Sequence, residues 1–307
     1  KVLWHFQEIP HDIWNMDLAA TPILTMLNKN GTIFDVVIVV SKLGNTFVLD
    51  RETGESIYEI KMERAPTSTV PGERTAIYQK NVQIPEPVCR NKFKKEYLTN
   101  LDNENLPNLL NRVEAASTGF PNPYKIGKES IEISSCVRWA GASIDTTKNI
   151  MYISTDQQVY MNRIIKDKAY QIGFGSIFEQ FVDSNGYPAI KPPWGSLVAL
   201  DLASGKINWS VPLGEYEELN KRNIPSTGTL NRAGATATAG NLVFASGTED
   251  KKIRAFNSNN GKILWEYKLP FVGSSSPTVY EAENRQYIVV PAFERGGNTI
   301  LGFTIDD

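Results

Sequence analysis

Apolar residues come in short β-branched or aromatic runs along this chain, and Gly, Asn and Asp close each run. The clearest are Asp35-Val36-Val37-Ile38-Val39-Val40, Asn45-Thr46-Phe47-Val48-Leu49, Ile150-Met151-Tyr152-Ile153-Ser154, Leu242-Val243-Phe244-Ala245-Ser246 and Gln286-Tyr287-Ile288-Val289-Val290. Runs this short, bounded by turn residues, predict strands and an all-β chain. One phrase recurs four times: Lys1-Val2-Leu3-Trp4-His5-Phe6, Gly54-Glu55-Ser56-Ile57-Tyr58-Glu59, Gly205-Lys206-Ile207-Asn208-Trp209-Ser210 and Gly261-Lys262-Ile263-Leu264-Trp265-Glu266. Three copies follow a strand and turn that end at Thr53, Ser204 and Asn260. Each reads as strand, polar hairpin ending in Gly, then a strand bearing an aromatic. The Gly supplies the positive φ such a turn needs.

Trp4 and Tyr58 stand 54 residues apart, and Trp209 and Trp265 stand 56 apart. A repeat of that length with about four strands inside predicts β-propeller blades. Tyr58 and Trp209 are 151 apart, too far for one blade. A degenerate blade fits at Trp139-Ala140-Gly141-Ala142-Ser143-Ile144-Asp145 with Met151-Tyr152-Ile153-Ser154. Residues 1–307 are therefore expected to form roughly four to five blades of a partial propeller. Residues 62–135 break the rhythm and are expected to insert over one face, with one or two short helices between 97 and 116. Residues 164–193, rich in Gly, Phe and Pro, are expected to be irregular and to cover a face as well. Trp4, Trp209 and Trp265 are expected to dock blades together, each indole finding one hydrogen-bond partner.

Composition narrows the picture. Apolar content is 41% and the formal net charge is -2. No basic stripe points to nucleic acid, and no apolar run reaches membrane-spanning length. The lack of an initiator Met and of a signal peptide, with a first copy of the phrase cut at its turn, is read as a fragment that starts mid-blade. Cys89 and Cys136 lack metal-ligand spacing and are either free or paired. With only His5 and His11 present, a His-rich metal site is excluded.

The opening carries more than blade signals. Trp4-His5-Phe6-Gln7 and His11-Asp12-Ile13-Trp14-Asn15-Met16-Asp17-Leu18 lead into Lys42-Leu43-Gly44-Asn45 and Leu49-Asp50-Arg51. Further on come Val88-Cys89-Arg90, Trp139-Ala140-Gly141, Pro193-Trp194-Gly195-Ser196, Gly228-Thr229-Leu230-Asn231 and Thr238-Ala239-Gly240-Asn241-Leu242. In this order they resemble the quinoprotein dehydrogenases that use pyrroloquinoline quinone (PQQ), and within them the glucose dehydrogenase branch. The resemblance is weakest over residues 62–135. It implies part of an eight-bladed propeller with the quinone near its axis, calcium or magnesium as metal, a sugar or alcohol substrate, and a quinone or dye as electron acceptor. It also implies a periplasmic location, with a membrane anchor or further blades outside this segment. Most metal ligands are expected in those blades, and none is assigned here. The segment alone is not expected to hold the cofactor tightly.

The chemistry needs a base for the substrate hydroxyl, a quinone carbonyl to receive hydride, and a cation for the charge that grows on the quinone oxygen. The resemblance places the base directly after Trp14, where this chain has Asn15, and the cation at Lys42, 27 positions on. An amide cannot accept a proton near neutral pH. Three readings follow: Asp12 or Asp17 takes over, the protein is impaired, or the Asn was introduced. The first is ranked last, because sliding along a strand changes side-chain direction. By the same resemblance Asn231 and Trp194 face the quinone. Against these stand ordinary roles: loop bracing for Asp12 and His11, a solvated turn for Lys42, turn chemistry for Asn231, and packing for Trp14 and Trp194. Ala140 and Ala233 replace family glycines, and their methyl groups are expected to crowd a flat ligand. Pro291-Ala292-Phe293-Glu294-Arg295-Gly296-Gly297 is only partly Gly-rich where the family has a Gly-rich loop. A non-catalytic propeller scaffold is the competing function.

Overall fold

The structure, a computed structural model, describes residues 1–169, 173–224 and 226–304. Among the described residues, four antiparallel sheets of three or four strands succeed one another along the chain, besides a two-stranded antiparallel pair, Lys61–Arg64 with Tyr78–Asn81, and the sheet of the cap described below. The first holds Ile23–Lys29, Thr32–Val40 and Thr46–Asp50, with a bridge from Leu49 to Ser56 at its outer edge. The second holds Ala142–Asp145, Ile150–Asp156, Gly195–Asp201 and Lys206–Pro212. The third holds Ala235–Ala237, Leu242–Ala245, Lys252–Asn257 and Ile263–Lys268, and the fourth Thr278–Ala282, Arg285–Glu294 and Gly297–Thr304.

The sheets stack face against face, and one strand shows how the sequence dictates this. Along Gly195–Asp201, Val198 and Leu200 enter a core shared with Val36, Ile38 and Val48 of the first sheet. Leu197 and Ala199, pointing the other way, enter a core shared with Val243 and Phe256 of the third. Alternate side chains leave opposite faces of a strand, so a run apolar at every position must be covered on both sides. A third core joins Phe244 and Ile253 to Val290 and Ala292 of the fourth sheet.

The recurring phrase is the joint between sheets. Trp4 Nε1 donates to the Arg51 carbonyl (2.9 Å), the Tyr58 hydroxyl to the Leu202 carbonyl (2.5 Å), and Trp209 Nε1 to the Ser258 carbonyl (3.0 Å). Each acceptor directly follows the Asp or Asn that closes its turn: Asp50, Asp201 and Asn257 accept backbone N–H groups of the turns they begin. Gly54 and Gly261 have φ of +75° and +70°, and a Cβ on either would lie 2.6 or 2.7 Å from Trp4 or Trp209. Trp265 packs edge-on against Phe303 of the fourth sheet (5.3 Å, 74°). The residue matching its carbonyl acceptor follows Thr304, outside the described residues.

Between its second and third strands the second sheet sends the chain out to build a cap. Residues 164–193 differ here from expectation: they carry the last three residues of Gln158–Lys166 and all of Phe174–Gln180, two paired strands, while Tyr170, Gln171 and Ile172 lie outside the described residues. Gln158–Lys166 also pairs with Ser130–Ser134, so both segments expected to cover the propeller share one sheet. A helix, Leu106–Ala115, has Pro at its start and buries Leu109 and Val113 on one face. These pack with Phe93, Ile131, Phe181 and Trp194 in the cap's own core. A Cys89–Cys136 disulfide (Cα–Cα 6.1 Å) ties the cap to the strand ends below it, which settles the pairing left open above.

Candidate functional site

The loops beneath the cap all sit at one end of the stacked sheets. Strand register identifies equivalent positions there. Val36 pairs with Asp50, Ile150 with Asp201, and Leu242 with Asn257. Six residues beyond each first partner stand Lys42, Asp156 and Thr248, all buried. A backbone ladder links the first two: Cys136 N–H donates to the Lys42 carbonyl (2.9 Å), and Asp156 N–H to the Cys136 carbonyl (2.8 Å).

Lys42 rides a tight turn. Ser41 N–H donates to the Asn45 carbonyl (3.0 Å), and Gly44, at φ +79°, lets the chain reverse directly against the disulfide. Glu8 Oε1 accepts from both ends of this turn, Ser41 Oγ and Asn45 Nδ2, each at 2.9 Å. Burial raises the Glu8 carboxyl to about 7, the two hydrogen bonds opposing the shift and Asp12 adding to it. The Lys42 ammonium, 9% exposed, donates to the Asn15 carbonyl (3.1 Å) and pairs with the Asp17 carboxylate. The solvated-turn role does not describe this lysine.

Asp12 accepts Trp14 N–H (2.9 Å) on one oxygen and Met16 N–H (2.7 Å) on the other, so its carboxylate braces the loop. Asn15 is exposed at φ +61°, and its backbone carbonyl, not its amide, meets Lys42. His11 is exposed at φ +52°. Trp14 is buried, donates to the Asn122 carbonyl (2.9 Å) and stands edge-on to Phe120, which pins the loop under the cap. Beside Asp12, Glu132 is sealed with Tyr124 and Asn162, and burial raises it to about 7.

Asn231 lies across the same end, bridged to Thr248. Its Oδ1 accepts Ala233 N–H (3.0 Å), and its buried Nδ2 has no hydrogen-bond partner. Trp194 lies in the cap core. Its indole N–H is taken by the Ile190 carbonyl (2.7 Å), and its ring stacks on Tyr187 at 5.5 Å. It borders a cavity of 120 Å³ together with Asp156, Gln158, Tyr216, Leu230 and Glu249. Gly234 is needed because inner strands meet there: a Cβ would lie 2.5 Å from the Ala140 carbonyl oxygen and from Ser276 Oγ. The structure thus brings Asp12, Asn15 and Lys42 together and sets Asn231 and Trp194 on the other side.

Asp156 and Arg138 escaped sequence reasoning, and Trp139 entered it only within its blade and family phrases. Asp156 is raised to about 8 by burial, with Arg138 opposing, and its Oδ1 has no hydrogen-bond partner. Its six-residue offset from Ile150 equals that of Lys42 from Val36, each counted from the residue paired with a turn Asp. Trp139, at the inner end of the second sheet, leaves its indole 72% exposed, and neighbouring Arg138 keeps Nε unpartnered. A flat, anionic, carbonyl-rich ligand fits these features: unpartnered buried donors on Arg138 and Asn231, a lysine, and an open aromatic face. Among the described residues, no three His, Cys, Asp or Glu side chains come together as a metal centre.

Sheets stacked face against face in chain order define part of a β-propeller. Residues 1–288 match the PQQ family described as glucose/ethanol/alcohol dehydrogenase, beta-propeller domain, and the chain belongs to that family. Quinoprotein glucose dehydrogenase A of Acinetobacter calcoaceticus is 27% identical over 340 residues, covering 100% of this chain and 42% of that protein. The quinate/shikimate dehydrogenase (quinone) of Acinetobacter baylyi (strain ATCC 33305 / BD413 / ADP1) is 27% identical, covering 95% of this chain and 40% of that one. Among solved structures, the quinohemoprotein alcohol dehydrogenase of Comamonas testosteroni superposes with a TM-score of 0.60 at 19% identity, over 98% of this chain and 40% of its own. That likeness concerns the fold. The chain spans about two fifths of the relatives it matches.

Proposed function

We propose that this chain forms the Lys42 side of the cofactor site in a PQQ-dependent dehydrogenase that oxidises a sugar or alcohol hydroxyl, within a propeller completed by further blades. The quinone, when bound, accepts the two electrons and the hydrogen leaving the substrate carbon. The Lys42 ammonium would supply the positive charge that such a quinone needs beside its oxygen. Asn231 Nδ2 and Arg138 Nε, both without a hydrogen-bond partner, would help to hold it, and exposed Trp139 would offer an aromatic face. Trp14 holds the substrate-side loop under the cap. Calcium or magnesium is held mainly by residues outside this chain. Asn15 occupies the base position without being able to take a proton, so turnover is slower than with Asp there.

The observation that carries this reading is Lys42: a nearly buried lysine whose turn is clamped by Glu8 and whose ammonium faces the Trp14–Asp17 loop. A disulfide between the cap and the strand ends supports an oxidising compartment, in keeping with the periplasm. The test is to load the full-length protein with PQQ and calcium or magnesium. Quinone absorbance and dye reduction are then followed with glucose, glycerol, quinate and ethanol. Binding that falls at least tenfold in Lys42→Ala is expected. A full-length protein that does not perturb the quinone spectrum would overturn the reading.

A further inference from the structure

We propose that Asp17 is the catalytic base, doing for the substrate hydroxyl what Asn15 cannot; this rests on the dehydrogenase reading above. Burial alternates through the loop: Trp14 and Met16 are buried at 5% and 1%, whereas Asn15 and Asp17 are exposed. Asn15 has φ +61°, so the chain turns there instead of running on as a strand, and the expected objection from side-chain direction along a strand does not apply; Asn15 and Asp17 both remain accessible and both meet Lys42, the first through its carbonyl and the second through its carboxylate. Asp17 also touches the group that marks the reaction centre, since its carboxylate pairs with the Lys42 ammonium while its side chain stays 53% exposed.

Nearby carboxylates fail one requirement or the other. Asp12 has both oxygens engaged by backbone N–H groups of its own loop. Glu8 and Glu132 are each only 4% exposed and are walled in by Ser41 and Asn45 or by Tyr124 and Asn162. A base must reach the substrate hydroxyl directly or through one water. Among these four, Asp17 alone combines access with contact to Lys42.

In the step assigned to it, an Asp17 oxygen takes the O–H proton of the substrate. The carbon-bound hydrogen leaves with its electron pair to the quinone, and the C–O bond becomes C=O. The proton then passes from Asp17 to solvent or to the reduced quinone. Alcohol plus quinone gives carbonyl compound plus quinol, so two electrons and two protons are accounted for.

The test uses the full-length protein loaded with PQQ and calcium, reading quinone absorbance for binding and its bleaching in a single turnover with the substrates above. Asp17→Ala is expected to bind PQQ about as well as the unaltered protein and to slow bleaching by roughly a hundredfold. Added formate, a carboxylate small enough to fill the gap, is expected to restore at least about tenfold of that loss in Asp17→Ala and nothing in Asp17→Asn. Asn15→Asp is expected to bleach faster and to make Asp17 dispensable. Unchanged bleaching in Asp17→Ala, a loss that formate does not restore, or a loss explained by weaker PQQ binding would each overturn the assignment. So would an unaltered protein that binds PQQ and never bleaches. Absence of any PQQ binding would instead bring down the dehydrogenase reading itself.

Discussion

Trp209 donates its indole N–H to the Ser258 carbonyl across 3.0 Å, while Gly261, three residues on, leaves the space its ring fills. The same triad of aromatic, carbonyl and glycine joins Trp4 to Arg51 and Gly54. Gly261→Ala meets two penalties. Its φ is +70°, and the new Cβ would lie 2.7 Å from Trp209. Gly31→Ala is the control, since its φ is +82° with nothing within 4 Å. Gly31→Ala is expected to lose about 1 kcal/mol, and Gly261→Ala about 1–3 kcal/mol more, in urea unfolding. Equal losses would show that the joint tolerates the ring moving.

Glu8 makes a pH prediction with a definite sign. Its carboxyl rises from 4.5 to about 7 on folding, chiefly through burial. The native state therefore keeps a proton that the unfolded chain releases. Stability from this group is highest below about pH 4.5 and declines as pH rises to about 7, by about 3 kcal/mol. Asp12 and Lys80 act on it in opposite directions, and Glu132 and Asp156, also raised, add declines of the same sign. Glu8→Gln keeps an acceptor for Ser41 and Asn45 and removes the titration. The urea midpoint is expected to fall less between pH 5 and pH 8 in Glu8→Gln than in the unaltered protein. Parallel curves would show that Glu8 ionises freely.

What the chain displays openly are the devices that act over a few residues. The turn Asp50 to Gly54 needs an acceptor side chain and a positive φ, so Asp and Gly appear at fixed spacing and the joint repeats legibly. Val36, Ile38 and Val40 mark a strand because they must face a core. The helix at Leu106–Ala115 shows in Leu109 and Val113, one turn apart. The cap sheet was hidden. Gln158–Lys166 pairs with Ser130–Ser134 across the chain, and no local pattern specifies that partner. Asp156 was hidden for a related reason: its meaning lies in standing where Lys42 stands on the neighbouring sheet. The packing of Trp194 was hidden as well: its phrase marks a strand start, while its ring joins a core assembled from distant cap residues.

The disulfide should matter most at the Lys42 turn. Cys89 and Cys136 are 47 residues apart, and a Cβ on Gly44 would lie 3.1 Å from Cys136 Sγ. Replacing both cysteines with Ala is expected to cost about 2–4 kcal/mol in urea unfolding. Hydrogen exchange should accelerate first at Gly44 and Cys136, whose N–H groups close the turn and its ladder, and last at Val243 in the third sheet. Uniform acceleration would mean that the bridge steadies the whole fold without favouring the Lys42 turn.

Asp12 ties the loop chemistry to the loop shape. Its two oxygens each accept one backbone N–H, from Trp14 at 2.9 Å and Met16 at 2.7 Å. Asp12→Asn keeps one acceptor and turns the other oxygen into an N–H₂ donor, which faces a donor when the oxygen stays on Trp14. The loss of one charge-assisted bond is worth about 1.5–3 kcal/mol. Because Asn15 reaches Lys42 through its carbonyl, a loosened loop also frees the ammonium. Asp12→Asn is therefore expected to lower stability by that amount and to speed exchange of the Met16 N–H by at least tenfold. Asp12→Ala should exchange both N–H groups faster. Protection unchanged in both variants would mean that the Trp14 anchor to Asn122 holds the loop by itself.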